Sequence, residues 1–186
     1  MIPSDHFVRF YNEVFKFLDK QNGLKKYYDE ISRHQELHCY QCFMDKGLDG
    51  MEEYWGHIRV EENCVSSSEI IDGVRYSFMN RCPSLSKVLD CDTEPCQKYC
   101  LHCPGWVIPL LTKCGFYYAS CVIDTKEPRC RSFQTEDRDK ASAVIQKWID
   151  DGFNPDLIFS NIDDFETVEA NKKFRLERLQ KKENLK

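Results

Sequence analysis

Apolar residues recur at helical spacing through the first third of the chain. Phe7, Phe10, Tyr11, Val14, Phe17 and Leu18 fall three and four apart behind Pro3-Ser4-Asp5, which reads as a cap. Asn22-Gly23 breaks that first helix. A second begins near Leu24 and carries Tyr27, Tyr28, Ile31, His34, Leu37 and His38 toward Cys42. A third follows Gly47, with Met51, Tyr54, Trp55 and Ile58, and Glu61-Glu62 toward its end. The period then shortens. Glu69 to Met79 reads as two short strands about Asp72-Gly73, a dipeptide that tolerates positive φ at both turn positions.

Arg81-Cys82-Pro83 closes the second strand, and Pro83-Ser84 opens a short helix through Leu89. A longer helix is predicted from Pro95 to Lys113, kinked or divided at Pro104 and Pro109 and stopped by Gly115. Two more strands follow. Phe116 to Ile123 is rich in β-formers, and Cys130 to Thr135 alternates after the turn Lys126-Glu127-Pro128. Helices around 141–149 and 165–179 end the chain. Helices first, then a four-stranded antiparallel sheet interrupted by helices, make an α+β domain spanning 1–186. Within it, 1–63 is the helical part, 64–135 holds the sheet and a cysteine-rich helix, and 136–186 supplies C-terminal helices.

With 41% hydrophobic and 31% charged residues, the chain has a globular composition and length enough for a real core. Its formal net charge of -5 argues against a nucleic-acid partner, because phosphate neutralisation needs a basic surface. The longest apolar run, Trp106 to Leu111, is short and broken by Pro109, so no membrane partner is expected. Met1 to His6 lacks the pattern of a secretory signal, and a cytoplasmic location with reduced thiols is the expectation.

Cysteine is what turns this composition toward chemistry. There are 11, and three form Cys96-x3-Cys100-x2-Cys103. On a helix that spacing brings the side chains to one face. Pro95 suits the first turn, which would set Cys96 at the positive end. Three thiolates on one face, joined by Cys82 or Cys130 across a pocket, could hold zinc or an iron–sulfur cluster. The same spacing suits small side chains packed in a core. His38-Cys39-x2-Cys42 is a zinc half-site without a compact second half. His102 is either a surface histidine or a ligand or general base beside the thiols. Tyr54-Trp55, Trp106 and Phe116-Tyr117-Tyr118 can line an apolar pocket or pack a core. Phosphate loops, serine-hydrolase elbows and zinc-protease motifs are absent from the sequence.

The hairpin ending Phe78-Met79-Asn80-Arg81-Cys82-Pro83-Ser84 is followed by Cys96, Tyr99-Cys100, Cys103, Gly115 and a strand. Cys130 and Phe133 come next. This arrangement, over roughly residues 50–135, resembles the L-2-amino-thiazoline-4-carboxylic acid hydrolase-like family of bacteria and archaea. It echoes more faintly the vinyl-reductase-type small-molecule-binding domains. The resemblance implies hydrolysis of a carbon–nitrogen bond in a small cyclic amidine-like substrate. A thiolate from Cys82 or Cys100 is then the candidate nucleophile, lowered in pKa by His102 or a helix N-terminus. Alternatively a metal on Cys96, Cys100 and Cys103 activates water. Two other functions compete: a metal or iron–sulfur sensor or carrier, and a non-catalytic small-molecule-binding module.

Overall fold

The computed structural model describes residues 3–34, 39–91 and 94–185. Three helices come first: α1 (Pro3–Lys20), α2 (Leu24–His34) and α3 (Tyr40–Glu61). A hairpin of β1 (Val65–Ile71) and β2 (Val74–Arg81) leads to α4 (Pro83–Leu89). A 3-10 turn (Tyr99–Leu101) runs into α5 (His102–Cys114), then β3 (Tyr117–Asp124), β4 (Arg129–Thr135) and α6 (Arg138–Asp150). A second 3-10 turn (Pro155–Leu157) precedes β5 (Ile158–Ser160), and α7 (Phe165–Glu183) completes the order.

The mixed α+β architecture matches the sequence pattern, with one correction. The sheet has five strands, ordered β1-β2-β4-β3-β5 and antiparallel throughout, where four were expected. The added strand β5 is three residues long, too short to show an alternation. Tertiary bonds hold it in place. Asn161, at its end, accepts the Tyr118 N–H through Oδ1 at 2.8 Å. Its amide nitrogen donates to Thr112 Oγ1 at 2.8 Å and to the Phe116 carbonyl at 2.9 Å.

Local chemistry accounts for the hairpin. Asp72 and Gly73 have φ of 50° and 72°, so both central turn residues are left-handed, which matches the twist of the flanking strands. Gly115 ends α5 for two reasons. Its φ is 76°, and a Cβ there would fall 2.3 Å from the Lys172 backbone of α7.

The helical third departs from the pattern in three places. The α1 backbone is already helical at Pro3, so Ser4 and Asp5 lie inside the helix and do not precede it. Its buried face carries Val8, Asn12 and Phe15, whereas Phe7, Phe10 and Phe17 are exposed. Cys42 lies on α3 and not on a prolonged α2; Leu37 and His38 fall outside the described residues. Helix α3 also starts before Gly47 and runs through it, with a break at φ 60°, ψ -134°.

The sheet separates two cores. On one face Tyr117, Ala119, Cys121 and Phe133 pack with Trp148 of α6 and Val168 of α7. On the other, Tyr118 and Phe116 join Phe43, Met44 and Met51 of α3 and Leu110 and Leu111 of α5. A third cluster joins α1, α2 and α4 through Phe15, Tyr28, Val88 and Tyr99.

Candidate active site: a thiol-lined pocket

The face of the sheet toward α3 and α5 is only partly covered, and the strand register explains why. Ser68, Ser77, Ser132 and Ser120 are successive partners across β1, β2, β4 and β3. They make one row of small hydroxyl side chains across four strands. Nothing in that row is long enough to meet the helices above, and a cavity of about 220 Å3 remains. Trp55 and Ile58 of α3, Leu85 of α4, and His102, Cys103 and Val107 of α5 lie over or beside it.

One end of the pocket is ionic. Arg75, almost fully buried, donates from Nε to Glu52 at 2.9 Å and from Nη1 to Gln134 at 2.8 Å. Its guanidinium lies 5.0 Å from the centre of the Trp55 ring. The other Glu52 oxygen accepts from Ser68 at 2.7 Å, and Arg59 donates to the same serine at 3.2 Å. Burial alone would raise the Glu52 pKa. The Ser68 hydrogen bond and the Arg75 charge outweigh it, so the carboxyl is held below the usual range.

The other end carries the thiols. Cys64, Cys82, Cys100, Cys103 and Cys130 all line the pocket. The helix dividing at Cys100-Leu101-His102 decides their placement. Cys100 ends up in the 3-10 turn and Cys103 in the first turn of α5, three residues apart and facing one cavity. Cys103 is exposed, but it is exposed into the cavity and crowded by protein around it; burial therefore still pushes its thiol up to about 11.

Cys103 and His102 form a hydrogen-bonded pair. His102 Nδ1 lies 2.6 Å from the Tyr99 carbonyl, and Nε2 lies 3.2 Å from Cys103 Sγ. A carbonyl can only accept, so Nδ1 carries the proton and the Nε2 lone pair faces the thiol. The rings of Phe15, Tyr99 and Trp106 surround the imidazole at centroid distances of 5.9, 5.0 and 5.5 Å. Their burial of it lowers the His102 pKa, although the Tyr99 carbonyl opposes the shift. The imidazole is therefore a neutral base with a single available lone pair.

The structure overturns the expected low-pKa nucleophiles. Burial raises Cys82 to about 11, with Cys103 adding to the effect. Cys82 caps α4, accepting the Leu85 N–H at 3.5 Å, and that bond pulls its pKa down by less than burial raises it. Burial, then Cys103 and Cys82, raises Cys100 to about 12. Cys130, on the sheet between Met79 and Val122, is raised well above its ordinary value, again chiefly by burial. His102 is neutral and offers these thiols no positive charge. At neutral pH the pocket holds thiols, and a nucleophile there must lose its proton during attack.

The triplet also separates. Residues 94–98 are not helical, so Pro95 is not in a first helical turn. Cys96 is buried in the α1–α4 cluster, away from the pocket lining. Asn12 holds this segment: its Oδ1 accepts the Cys96 N–H at 2.8 Å and its Nδ2 donates to the Glu94 carbonyl at 3.1 Å. This clamp ties the non-helical backbone of residues 94–96 to α1. Cys39 and Cys42 pack in and against the α3–α5 core and do not line the pocket. His38 lies outside the described residues. No disulfide joins any of the eleven cysteines. Among the described residues, no three His, Cys, Asp or Glu side chains are grouped so as to hold a metal ion.

No protein family, curated protein or solved structure matches the chain. No helix among the described residues is long and apolar enough to cross a membrane.

Three parts of the site go beyond what the sequence pattern predicts. The serine row is the most readable of them. Ser66, Ser68, Ser77, Ser120 and Ser132 sit at alternating positions of predicted or neighbouring strands, a polar stripe where a core face is due. The Cys103–His102 pair is hidden because adjacent helical side chains ordinarily point apart. At the first turn of α5 the ring and the thiol still meet. Asn12 gives no signal, being a polar residue in an amphipathic helix.

Proposed function

We propose that this protein is a small-molecule hydrolase in which Cys103 is the nucleophile and His102 the general base. The observation that carries the reading is the 3.2 Å contact between Cys103 Sγ and His102 Nε2, with Nδ1 anchored on the Tyr99 carbonyl, inside a shared pocket. Nucleophile, base and orienting group stand in the order that activated thiols require. A neutral imidazole beside a protonated thiol works by concerted proton removal. As sulfur bonds to the electrophilic carbon, the thiol proton moves to Nε2. The carbon–heteroatom π pair moves onto the heteroatom. When that pair returns, the carbon–nitrogen bond breaks, and the substrate nitrogen leaves with the proton from His102. Water, deprotonated by His102 Nε2, then cleaves the carbon–sulfur bond and restores the thiol. The resemblance to thiazoline carboxylic acid hydrolases supplies the substrate class, a small cyclic amidine. The cavity of about 220 Å3 suits a molecule of that size.

The test uses 2-amino-thiazoline-4-carboxylate as probe, with its loss followed chromatographically. Turnover by the native protein that disappears in Cys103→Ser supports the reading. Unchanged turnover in that variant overturns it.

A second reading is a soft-metal or iron–sulfur protein acting as sensor or carrier. Its support is that Cys82, Cys100, Cys103 and Cys130 line one pocket, with Cys103 close enough to add to the raised pKa of the other three. Binding would displace their protons and draw the sulfurs together. Cys96 has no part in it. Stoichiometric zinc, or iron with sulfide, in anaerobically purified protein, lost in Cys100→Ser, would favour this reading over thiol hydrolysis.

A further inference from the structure

Two polar side chains of β3 stand side by side on the pocket floor. Ser120 is 7% exposed, and its hydroxyl has no partner among the described residues. Tyr118, 4% exposed, stands two residues earlier on the same face of β3. Its phenol lies beside the Ser120 hydroxyl without the alignment of a hydrogen bond. Both residues line the pocket that Cys103 and His102 enter from α5. A buried hydroxyl without a partner costs stability, and Ser120 Oγ is such a group, beside a phenol and in the pocket of a nucleophile; an absent acceptor is the physical explanation.

The strands hold both groups rigidly. Tyr118 is fastened through its backbone: Asn161 Oδ1 accepts its N–H at 2.8 Å, and Gln134 is its partner across β4. Ser120 is paired with Ser132 on β4 and with Phe159 on β5. Donors placed on a sheet interior need no reorganisation when charge appears in front of them.

Resting on the thiol-hydrolase reading, we propose that Tyr118 Oη and Ser120 Oγ are the electrophilic donors of the site, hydrogen-bonding the substrate heteroatom that takes the electron pair when Cys103 attacks. The electron count closes. The sulfur pair makes the carbon–sulfur bond, the thiol proton goes to His102 Nε2, and the π pair of C=N or C=O goes to the heteroatom. That atom accepts from the phenol and the hydroxyl. Burial keeps Tyr118 protonated, since its pKa is pushed far up, with Ser120 opposing and Cys103 and Cys130 adding to the rise. A protonated phenol is what a donor must be.

The experiment needs no knowledge of the natural substrate. Propionaldehyde adds to a thiol to give a hemithioacetal, whose oxygen occupies the same subsite. Its binding is read as protection of Cys103 from iodoacetamide, resolved from Cys100 by peptide fragmentation. Alkylation by iodoacetamide passes through no such oxygen and serves as the internal control. In Tyr118→Phe the aldehyde concentration giving half protection should rise about tenfold, the effect of one hydrogen bond to a charged or strongly polarised partner. Ser120→Ala should show a smaller rise in the same direction. Alkylation without aldehyde should be unaltered in both variants. Equal protection in native protein and Tyr118→Phe overturns the proposal, as does an absence of protection in the native protein. If alkylation of Cys103 is no slower in His102→Gln, the thiol–base pair itself fails, so loss of the donors and loss of the nucleophile are told apart.

Discussion

On the face of the sheet turned toward α6 and α7, Tyr117, Ala119, Cys121 and Phe133 are completely buried. One residue out of step on the same strands, Ser120, Ser132 and Cys130 face the α3–α5 side and leave a cavity. Cys121 and Cys130 show the contrast within one residue type. Cys121 packs with Phe133 and Trp148 as a small apolar side chain. Cys130 stands in a pocket with four other thiols and a histidine. A strand alternates strictly, so one sheet can be a sealed core on one side and a reactive floor on the other. Burial by itself does not tell the two uses apart, because it raises the pKa of Cys121 as it raises that of Cys130. Convergent polar partners distinguish them.

That contrast is easiest to break at His102. Replacing it with Gln should slow Cys103-dependent turnover or alkylation by roughly 10²–10⁴-fold, the usual worth of a positioned base, with little change in thermal unfolding. A large loss of stability with unchanged thiol reactivity would mean that the histidine only packs. The covered face should respond in the opposite way. Phe133→Ala should cost about 3–5 kcal/mol in denaturant unfolding, since the ring is fully buried against Trp148, and the intrinsic reactivity of Cys103 in the folded fraction should persist.

The serine row gives a sharper and smaller effect. Ser77→Val adds apolar bulk where the pocket is empty, so stability should change by less than about 1 kcal/mol while propionaldehyde protection of Cys103 is lost. Retained protection would show that the floor is not where small molecules sit. The mildest test is pH. The Glu52 carboxyl has a lowered pKa in the folded state. Its stabilising contribution is therefore complete above its unfolded value of about 4.3 and lost as pH falls through the folded value. The difference in unfolding midpoint between native protein and Glu52→Gln should be largest near neutrality and vanish in acid. A difference constant across that range would place Glu52 outside the Arg75 network.

Much of the fold is readable from residues. Asp72-Gly73 predicts a hairpin, and two paired strands form there; Gly115 predicts the end of α5. The Cys96, Cys100 and Cys103 spacing points to a shared pocket also reached by Cys82 or Cys130; Cys82, Cys100, Cys103 and Cys130 line one, and Cys96 does not. The rest depends on distant partners. In place of the expected helix from Pro95, a non-helical segment is tied to Asn12, 84 residues before Cys96. Strand β5 exists through bonds from Asn161 to α5 and β3. The proposed role of nucleophile passes from Cys82 and Cys100 to Cys103 because Cys103 is the thiol hydrogen-bonded to His102.

By itself the sequence determined the order of helices and strands, the hairpin, the alternation that gives the sheet two unlike faces, and the supply of thiols. These follow from backbone sterics and the periods of helix and strand, which act over a few residues. Tertiary structure decided which thiols share a pocket, which one meets a base, and whether each is held neutral. Those outcomes depend on desolvation and on hydrogen bonds between groups far apart in the chain. The Cys96 N–H on Asn12, the rings of Phe15 and Trp106 around His102, and the Tyr118 phenol in the pocket of Cys103 are set only when the helices close over the sheet.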